Sequence, residues 1–335
     1  MYLEDFPQQI LSLGEKFNAN VGDIFSMVGN KQSILNDDTK DNNPYAIGGK
    51  RSWVPILGDK VWELPEETYN RIPYSAYISK INHDQLIGYV RIPNYTYNKR
   101  VANEFGKLVA HFETSTSAMV LDQINNYGGS MYQMYSILSY LTDRSLALPM
   151  HQITISDEDV EIAREKLSNL NANESEPSSE FLIPEEISYY RFVISEYEAG
   201  RAELTNPTYL LGISKIKPAN QHYTKKIIVL INELDFSAAE FLAAILQDNK
   251  RAILFGERTA GAGGCVKRIV PPNSDYFGID YITLTWTIAR RTNGQCIEEK
   301  GVTPDIKYEL TAEDLQSGYI GYRQKLLSTI NAQIL

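Results

Sequence analysis

Short runs of apolar residues recur along the chain and alternate with longer stretches in which apolar residues return every three or four positions. The first pattern predicts buried β-strands and the second predicts amphipathic helices. Strands are expected near Tyr77 and Lys267 and over Leu86–Tyr95, Ala118–Asp122, Ile227–Ile231, Ala252–Phe255 and Ile279–Arg290. Helices are expected over Asn98–Phe112, Ser130–Leu141, Ile187–Ala202 and Ala312–Ile330, and from Ser237 onward. Strands that alternate with helices predict an α/β architecture with a largely parallel sheet.

One block of the sequence departs from this alternation. Residues 152–225 contain a charged helical stretch, DEDVEIAREKLSNL, followed by NANESEPSSE, which has the composition of a loop. We therefore expect a helical insertion or cap between two strands of one sheet. The predicted organisation is an N-terminal helical and loop segment (1–44), a first part of the core (45–151), the insertion (152–225), and the rest of the core with a C-terminal helix (226–335).

Charge and composition exclude several classes of protein. The chain has 335 residues, 32 basic and 42 acidic, and a net charge of −10. No basic cluster could follow a phosphate backbone, so no nucleic-acid partner is expected. No apolar run approaches the ~20 residues of a membrane span, and the first residues, MYLEDFPQQI, do not read as a signal peptide. Cys265 and Cys296 do not have the spacing of metal ligands, and the sequence leaves open whether they form a disulfide with each other.

The candidate chemistry begins at Ser237, which follows the strand Ile227–Ile231 and opens the next helix. A serine at a strand-to-helix turn exposes its hydroxyl at the edge of a sheet. The helix N-terminus beside it offers free N–H groups to a developing oxyanion. The alternative is that Ser237 is only the helix N-cap, with Asp235 competing for that position.

Two further segments carry residues that could join such a site. The turn NNYGG, residues 125–129, follows the strand Ala118–Asp122, and its glycines would let the backbone approach a ligand with its N–H groups forward. Taken alone, it is also an ordinary tight turn. The segment GQCIEEKGVTPD, residues 294–305, carries two adjacent glutamates, whose commonest environment is a solvated turn.

In combination these segments resemble the C-terminal processing, or tail-specific, serine peptidases. The motifs IGYVRIPNY, VLDQINNYGGS, FSAAEFLAAILQDNKRAILFGERTAGAGG and EEKGVTPDI occur in that family's order and cover roughly residues 45–310. Within the family they are most similar to the branch of the chlamydial protease-like activity factor. The resemblance implies a crotonase-like, ClpP-like layered core and a serine endopeptidase that needs no metal or other cofactor.

The resemblance also implies roles for individual residues. Ser237 stands at the nucleophile position, and the amides of Ala238 and of Gly128 or Gly129 stand at the oxyanion hole. Many members use a Ser–Lys pair, but the position of that lysine is Ala262 here, so the lysine mechanism is not expected. The activity-factor branch uses Ser–His–Glu, and Glu298 matches its glutamate, with Glu299 one residue away.

The base of such a triad has no match in this chain. None of His83, His111, His151 and His222 lies in the family's histidine motif, and each is expected to be an ordinary surface or buried histidine. The chain is then either the C-terminal portion of a longer protease or a protein that keeps the fold without the base. If the chain alone cleaves protein, His83 and His111 are the first candidates.

The implied partners are protein or peptide substrates, with an N-terminal fragment of the same precursor and a second copy of the chain as further options. Members of the branch are secreted, and the resemblance implies the same for this chain. Two other functions remain open. One is a peptide-binding protein without turnover. The other is a crotonase-type enzyme acting on acyl-CoA, which would need an adenine-binding loop and a basic patch that the sequence lacks.

Overall fold

The structure is a computed structural model, and it describes residues 5–18, 49, 57–82, 85–96, 99–172, 183–270, 276, 278 and 281–334. The helices are α1 (Phe6–Asn18), α2 (Glu66–Tyr69), α3 (Lys99–Ser115), α4 (Met131–Tyr140), α5 (Asp157–Ala172), α6 (Ile183–Glu198), α7 (Ala238–Asp248), α8 (Ala312–Ser317) and α9 (Ile320–Ile334). The strands are β1 (Asp59–Glu63), β2 (Ser75–Asn82), β3 (Gln85–Arg91), β4 (Ala118–Asp122), β5 (Leu146–Ala147), β6 (Met150–Ile153), β7 (Lys215–Ile216), β8 (Lys226–Ile231), β9 (Ile253–Gly256), β10 (Val266–Ile269), β11 (Ile282–Thr285), β12 (Thr287–Arg290) and β13 (Ile306–Lys307).

A seven-stranded sheet in the order β1-β2-β3-β4-β8-β9-β13 forms the centre of the molecule. Strands β1, β2 and β3 are antiparallel neighbours, whereas β3, β4, β8, β9 and β13 all run parallel. Parallel neighbours need crossover connections. Helices supply those from β3 to β4, from β4 to β8 and from β8 to β9, whereas the described part of the connection from β9 to β13 contains β10, β11 and β12. The predicted α/β fold with a mostly parallel sheet is confirmed.

Side chains that alternate along β4 and β8 pack into two separate apolar clusters. Leu121 and Val229 join the larger cluster, which includes the buried faces of α3, α4 and α7. Val120 and Ile228 join the smaller cluster, which is closed by α9. Both faces of the sheet are therefore covered, as the continuous apolar composition of these strands requires. The result is a layered core with the terminal helix on the side opposite α7.

Two predicted elements are each divided in the structure. The helix expected over Ala312–Ile330 is wrong as a single element, because Gly318 ends α8 in the left-handed conformation with φ 71° and α9 starts anew at Ile320. The strand expected over Ile279–Arg290 is two strands separated by Trp286. Strand β11 pairs with β10, whereas β12 pairs with β6, so the chain changes partner at that residue.

The chain between β4 and β8 contains helices α4, α5 and α6, and α5 packs against α6. This agrees in position with the insertion expected at residues 152–225, whose boundaries stay a prediction, as do those of the other segments. Of the expected segment 1–44, only residues 5–18 lie within the described part. Among the helices of the described residues, none combines the length and apolar character needed to cross a bilayer.

Candidate active site

Ser237 lies between strand β8 and helix α7 in a conformation that few residues adopt. Its backbone has φ 52° and ψ −118°, and although it occupies the N-cap position, its side chain makes no capping hydrogen bond. Strained backbone of this kind costs about 1–3 kcal/mol and concentrates at functional sites. A sharp strand-to-helix turn with an exposed serine is also the geometry of a nucleophile elbow. The capping alternative therefore does not account for the hydroxyl, which is half-buried and free of that role.

The turn that contains Gly128 packs directly against this serine. A Cβ atom added to Gly128, whose φ is 92°, would lie 2.8 Å from Ser237 Cβ and 3.0 Å from Ala238 N. Strands β4 and β8 are parallel neighbours, so the turns that follow them meet at the same edge of the sheet. The structure thus brings the predicted hydroxyl and the predicted glycine turn together.

The two glycine amides of this turn differ in what they bind. Gly128 N donates to Asn126 Oδ1 at 2.8 Å, so its N–H is already engaged inside the turn. No acceptor for Gly129 N or Ala238 N is found among the described residues. Ala238 is the first residue of α7, where backbone N–H groups lack helical partners. Gly129 and Ala238 are accordingly the candidates for the two donors of an oxyanion hole.

A buried carboxylate fixes the glycine turn to the nucleophile turn. Asp235 is fully buried, its Oδ1 accepts from Asn126 N at 3.1 Å, and its Oδ2 accepts from Gln123 Nε2 at 3.1 Å. Burial raises the pKa of Asp235 well above its ordinary value. Asp235 therefore does not cap α7, as the sequence allowed. Its carboxylate instead holds the turn that follows β4 against the turn that precedes α7.

Glu298 and Glu299 face different environments. Glu298 Oε1 accepts from Ala289 N at 2.6 Å, and its buried Oε2 has no hydrogen-bond partner within the described residues. Burial raises the pKa of this carboxyl, against the opposing effect of the Ala289 amide. Glu299 is exposed and adopts φ 63°. Of the two neighbours, Glu298 is the one whose carboxylate is turned into the protein.

The loop 259–262 connects the nucleophile turn to the glutamate segment. Ser237 N donates to Ala262 O at 3.2 Å, and Glu299 N donates to Gly261 O at 2.7 Å. Ser237 and Glu298 therefore lie on segments joined through two consecutive carbonyl groups of one loop. The side chain of Ala262 is exposed. The structure places this residue, at the position for which the family resemblance implies a lysine in many members, next to the serine, and alanine supplies no amine.

The sequence did not single out Glu240, which is fully buried in the first turn of α7. Its Oε1 accepts from Thr259 Oγ1 and Gly261 N, both at 2.7 Å, and its Oε2 accepts from Ala262 N at 2.6 Å. Burial raises the pKa of this carboxyl as well. A glutamate three residues after a serine at a helix start is the pattern of a capping box. The contacts of Glu240 with the loop 259–262 therefore could not be inferred from the sequence.

The described histidines are placed unfavourably for a base. His222 precedes β8 and Ser237 follows it, so the two lie at opposite ends of a six-residue strand, roughly 20 Å apart. His111 lies near the end of α3, which leads into the start of β4, with its ring centroid 4.5 Å from that of Trp62. The proposal to test His111 first is therefore not favoured by the structure. His83 lies outside the described residues.

His151 comes nearest to the nucleophile helix but is enclosed. Its ring stacks on Phe241 of α7 with centroids 5.3 Å apart, and its Nδ1 lies 3.2 Å from Thr287 Oγ1. Burial lowers the pKa of His151 to about 3. An imidazole held neutral and packed behind the helix is a core residue, as expected for an ordinary histidine.

The cysteines show no sign of the disulfide that the sequence left open. Both thiols are free, and Cys265 Sγ lies 3.5 Å from Met131 Sδ in the core. Within the described part of the chain, no group of three or more His, Cys, Asp or Glu side chains could hold a metal ion.

The strained serine, the glycine turn against it and the layered sheet together define a peptidase-type core. Residues 86–308 match the model of Peptidase family S41, and the chain belongs to that family. It is 34% identical over 311 residues to a protein of Chlamydia trachomatis serovar D, a match that covers 84% of this chain and 50% of that protein. A carboxy-terminal-processing protease of Bartonella bacilliformis is 36% identical over 95 residues, which are 28% of this chain and 21% of that protein.

Solved structures agree with this assignment. The structure of mature CPAF complexed with lactacystin superposes with a TM-score of 0.78 at 34% identity and covers 87% of this chain and 60% of that one. The resemblance to tail-specific peptidases of the activity-factor branch is thereby confirmed. The chain spans about half the length of the chlamydial relatives that it matches.

Proposed function

We propose that this protein is a serine endopeptidase that hydrolyses peptide bonds by acyl transfer. The observation that supports this most directly is Ser237, whose strained backbone and uncapped hydroxyl lie against Gly128, beside the amides of Gly129 and Ala238, which have no acceptor in the part of the chain that the structure describes. Membership of peptidase family S41 supports the same class of reaction. Protein or peptide segments are the substrates that follow from it.

In the proposed reaction, Ser237 Oγ attacks a peptide carbonyl carbon while a base takes the hydroxyl proton. The amides of Ala238 and Gly129 then donate to the oxyanion of the tetrahedral intermediate. Preorganised donors of this kind contribute about 10²–10³ in rate each. The base returns the proton to the leaving amine, and water releases the acyl group by the same steps.

Glu298 would orient the base and stabilise its cationic form. One oxygen is fixed by Ala289 N, while the other is buried without a partner among the described residues, and an imidazole N–H is the donor that such an oxygen suits. The lysine of other members is Ala262 here, which leaves histidine as the proposed base. We propose that a further segment of the protein supplies it, since the relatives are about twice as long as this chain.

A serine-directed fluorophosphonate tests the nucleophile. Stoichiometric labelling that is lost in Ser237→Ala, together with loss of peptide hydrolysis and an unchanged melting temperature, is the expected result. Hydrolysis by Ser237→Ala at the wild-type rate would remove Ser237 from the mechanism. Adding a histidine-bearing segment taken from the remainder of a longer relative should raise both rates.

A peptide-binding protein without turnover is the second candidate, and the position of the described histidines favours it. It would bind extended peptides with neither labelling nor cleavage, even with the added segment. Secretion, and association with a second copy of the chain, are proposals that depend on the resemblance alone.

A further inference from the structure

Glu240 has contacts that a helix-capping glutamate would not need. The three donors it accepts come from a loop about twenty residues further along the chain, at 2.6–2.7 Å, and the carboxylate is fully buried. Hydrogen bonds to a carboxylate are shorter and stronger than neutral ones. Both oxygens are therefore directed at the loop 259–262.

That loop in turn receives both halves of the proposed site. Ser237 N donates to Ala262 O, and Glu299 N donates to Gly261 O. The same two residues, Gly261 and Ala262, give their N–H groups to Glu240. Their peptide groups are thus held from one side by the carboxylate and used on the other to hold the nucleophile turn and the glutamate segment.

A second set of bonds ties the loop to residues beyond Glu299. Thr259 Oγ1 donates to Glu240 and accepts from Val302 N at 2.7 Å, and Thr259 N donates to Val302 O at 3.2 Å. Gly301 approaches so closely that an added Cβ would lie 2.3 Å from Thr259 O. The segment that carries Glu298 therefore follows the loop when the loop moves.

From this geometry we infer that Glu240 is a positioning residue that fixes Ser237 relative to Glu298 through the loop 259–262. The catalytic effect of this positioning rests on the proposed function, whereas the positioning itself rests only on the hydrogen bonds of the loop. The function of the loop is to set the spacing between the nucleophile and the orienting carboxylate.

The test compares Glu240→Ala and Glu240→Gln with wild type by amide hydrogen exchange and by kinetics. In Glu240→Ala the amides of Ser237 and Glu299 should exchange about 10–100-fold faster, as expected when hydrogen bonds to a charged group are lost. The Ser237 amide also interacts directly with the Glu240 carboxyl, so the Glu299 amide, which donates to Gly261 O, is the readout of the loop. Glu240→Gln keeps an oxygen for Thr259 and Gly261 but opposes Ala262 N with a donor, so its effect should be intermediate.

In kinetics, kcat per folded molecule and the rate of Ser237 labelling should fall about 10–100-fold, since a misplacement of about 1 Å costs that much. KM should stay within about twofold. The control is Glu196→Gln in α6, a buried carboxylate that accepts from Arg201 and Asn206 away from the site. It should lower the melting temperature without changing exchange at Ser237 or kcat.

The outcomes separate the two proposals. Unchanged exchange at Glu299 in Glu240→Ala overturns the positioning role even where exchange at Ser237 rises, as does a normal kcat in the folded fraction of that variant. A wild-type protein that is never labelled contradicts the proposed function, and faster exchange at both amides would still support the positioning role.

Discussion

Replacing Gly128 with alanine tests the contact on which the candidate site depends. The added Cβ would meet Phe236 O at 2.7 Å, Ser237 Cβ at 2.8 Å and Ala238 N at 3.0 Å, in a residue with φ 92°. A positive φ costs a non-glycine residue about 1–2 kcal/mol. Forcing extra volume into a packed site costs about 1–3 kcal/mol more. We expect a total loss of about 2–5 kcal/mol in the free energy of unfolding.

The catalytic effect should exceed what instability explains, because the displaced atoms belong to the nucleophile turn and to one oxyanion donor. A shift of about 1 Å costs about 10²-fold, and losing one donor costs about 10²–10³-fold. We therefore expect kcat per folded molecule to fall about 100–1000-fold in Gly128→Ala. The assay is peptide hydrolysis and fluorophosphonate labelling of Ser237, normalised to the folded fraction from urea denaturation.

Gly200→Ala is the matched control, because Gly200 has φ 74° and an added Cβ would have no atom within 4 Å. It shares the backbone strain and lacks the collision. The difference between the two variants therefore measures the contact with the nucleophile turn, residues 236–238. Equal stability and equal labelling in Gly128→Ala and Gly200→Ala would refute the proposed proximity of the glycine turn to the nucleophile.

Three other changes test the roles given above. Glu298→Gln keeps an acceptor for Ala289 N but cannot stabilise a cation, so kcat should fall by up to about 10⁴-fold. The wild-type rate should decline as the pH falls through the raised pKa of Glu298. The check is a pH–rate profile, in which the variant should lack this acidic decline. Ser237→Gly should abolish labelling and raise the free energy of unfolding by about 1 kcal/mol, because glycine adopts φ 52° and ψ −118° without strain; a destabilised variant in urea titration would contradict the strain argument. His151→Gln tests a stability effect. The pKa of His151 is about 3 in the folded state and 6.5 in the unfolded state, so the unfolded state binds more protons between these values. The free energy of unfolding therefore decreases as the pH is lowered through this range. From pH 6.5 to pH 5 the loss is about 2 kcal/mol, and melting curves of the variant should lack that part of the acid sensitivity.

The parts of the site that sequence could predict are those with local signals. Strands β4 and β8 are continuous apolar runs, and the residues after them, Ser237 and the Gly128–Gly129 pair, are marked by a helix start and by paired glycines. Two parallel neighbours bring their following turns to one edge, so local patterns suffice for that proximity. The inner strands β3, β4, β8 and β9 were predictable for the same reason, whereas the edge strands β1 and β13 lack such an apolar run and were not predicted.

The residues that sequence could not assign act over long separations. Glu240 and Asp235 each lie in or beside the α7 start, where an acidic residue ordinarily indicates capping, and nothing local shows that their partners are Gly261 and Asn126. The left-handed Gly318 that divides the terminal helix had a usable signal, since glycine commonly ends helices.

The buried oxygen Glu298 Oε2 bears on how the site could be completed. A buried acceptor left without a hydrogen bond costs about 1–3 kcal/mol, and in this carboxylate the second oxygen is in that state among the described residues. Ala262 on the neighbouring loop cannot relieve it, because its side chain has no donor and its amide is held by Glu240. An imidazole N–H that reached Oε2 would recover this free energy, and under the proposed function that imidazole would be the base for Ser237. Binding of the histidine and assembly of the triad would then be favoured by the same contact.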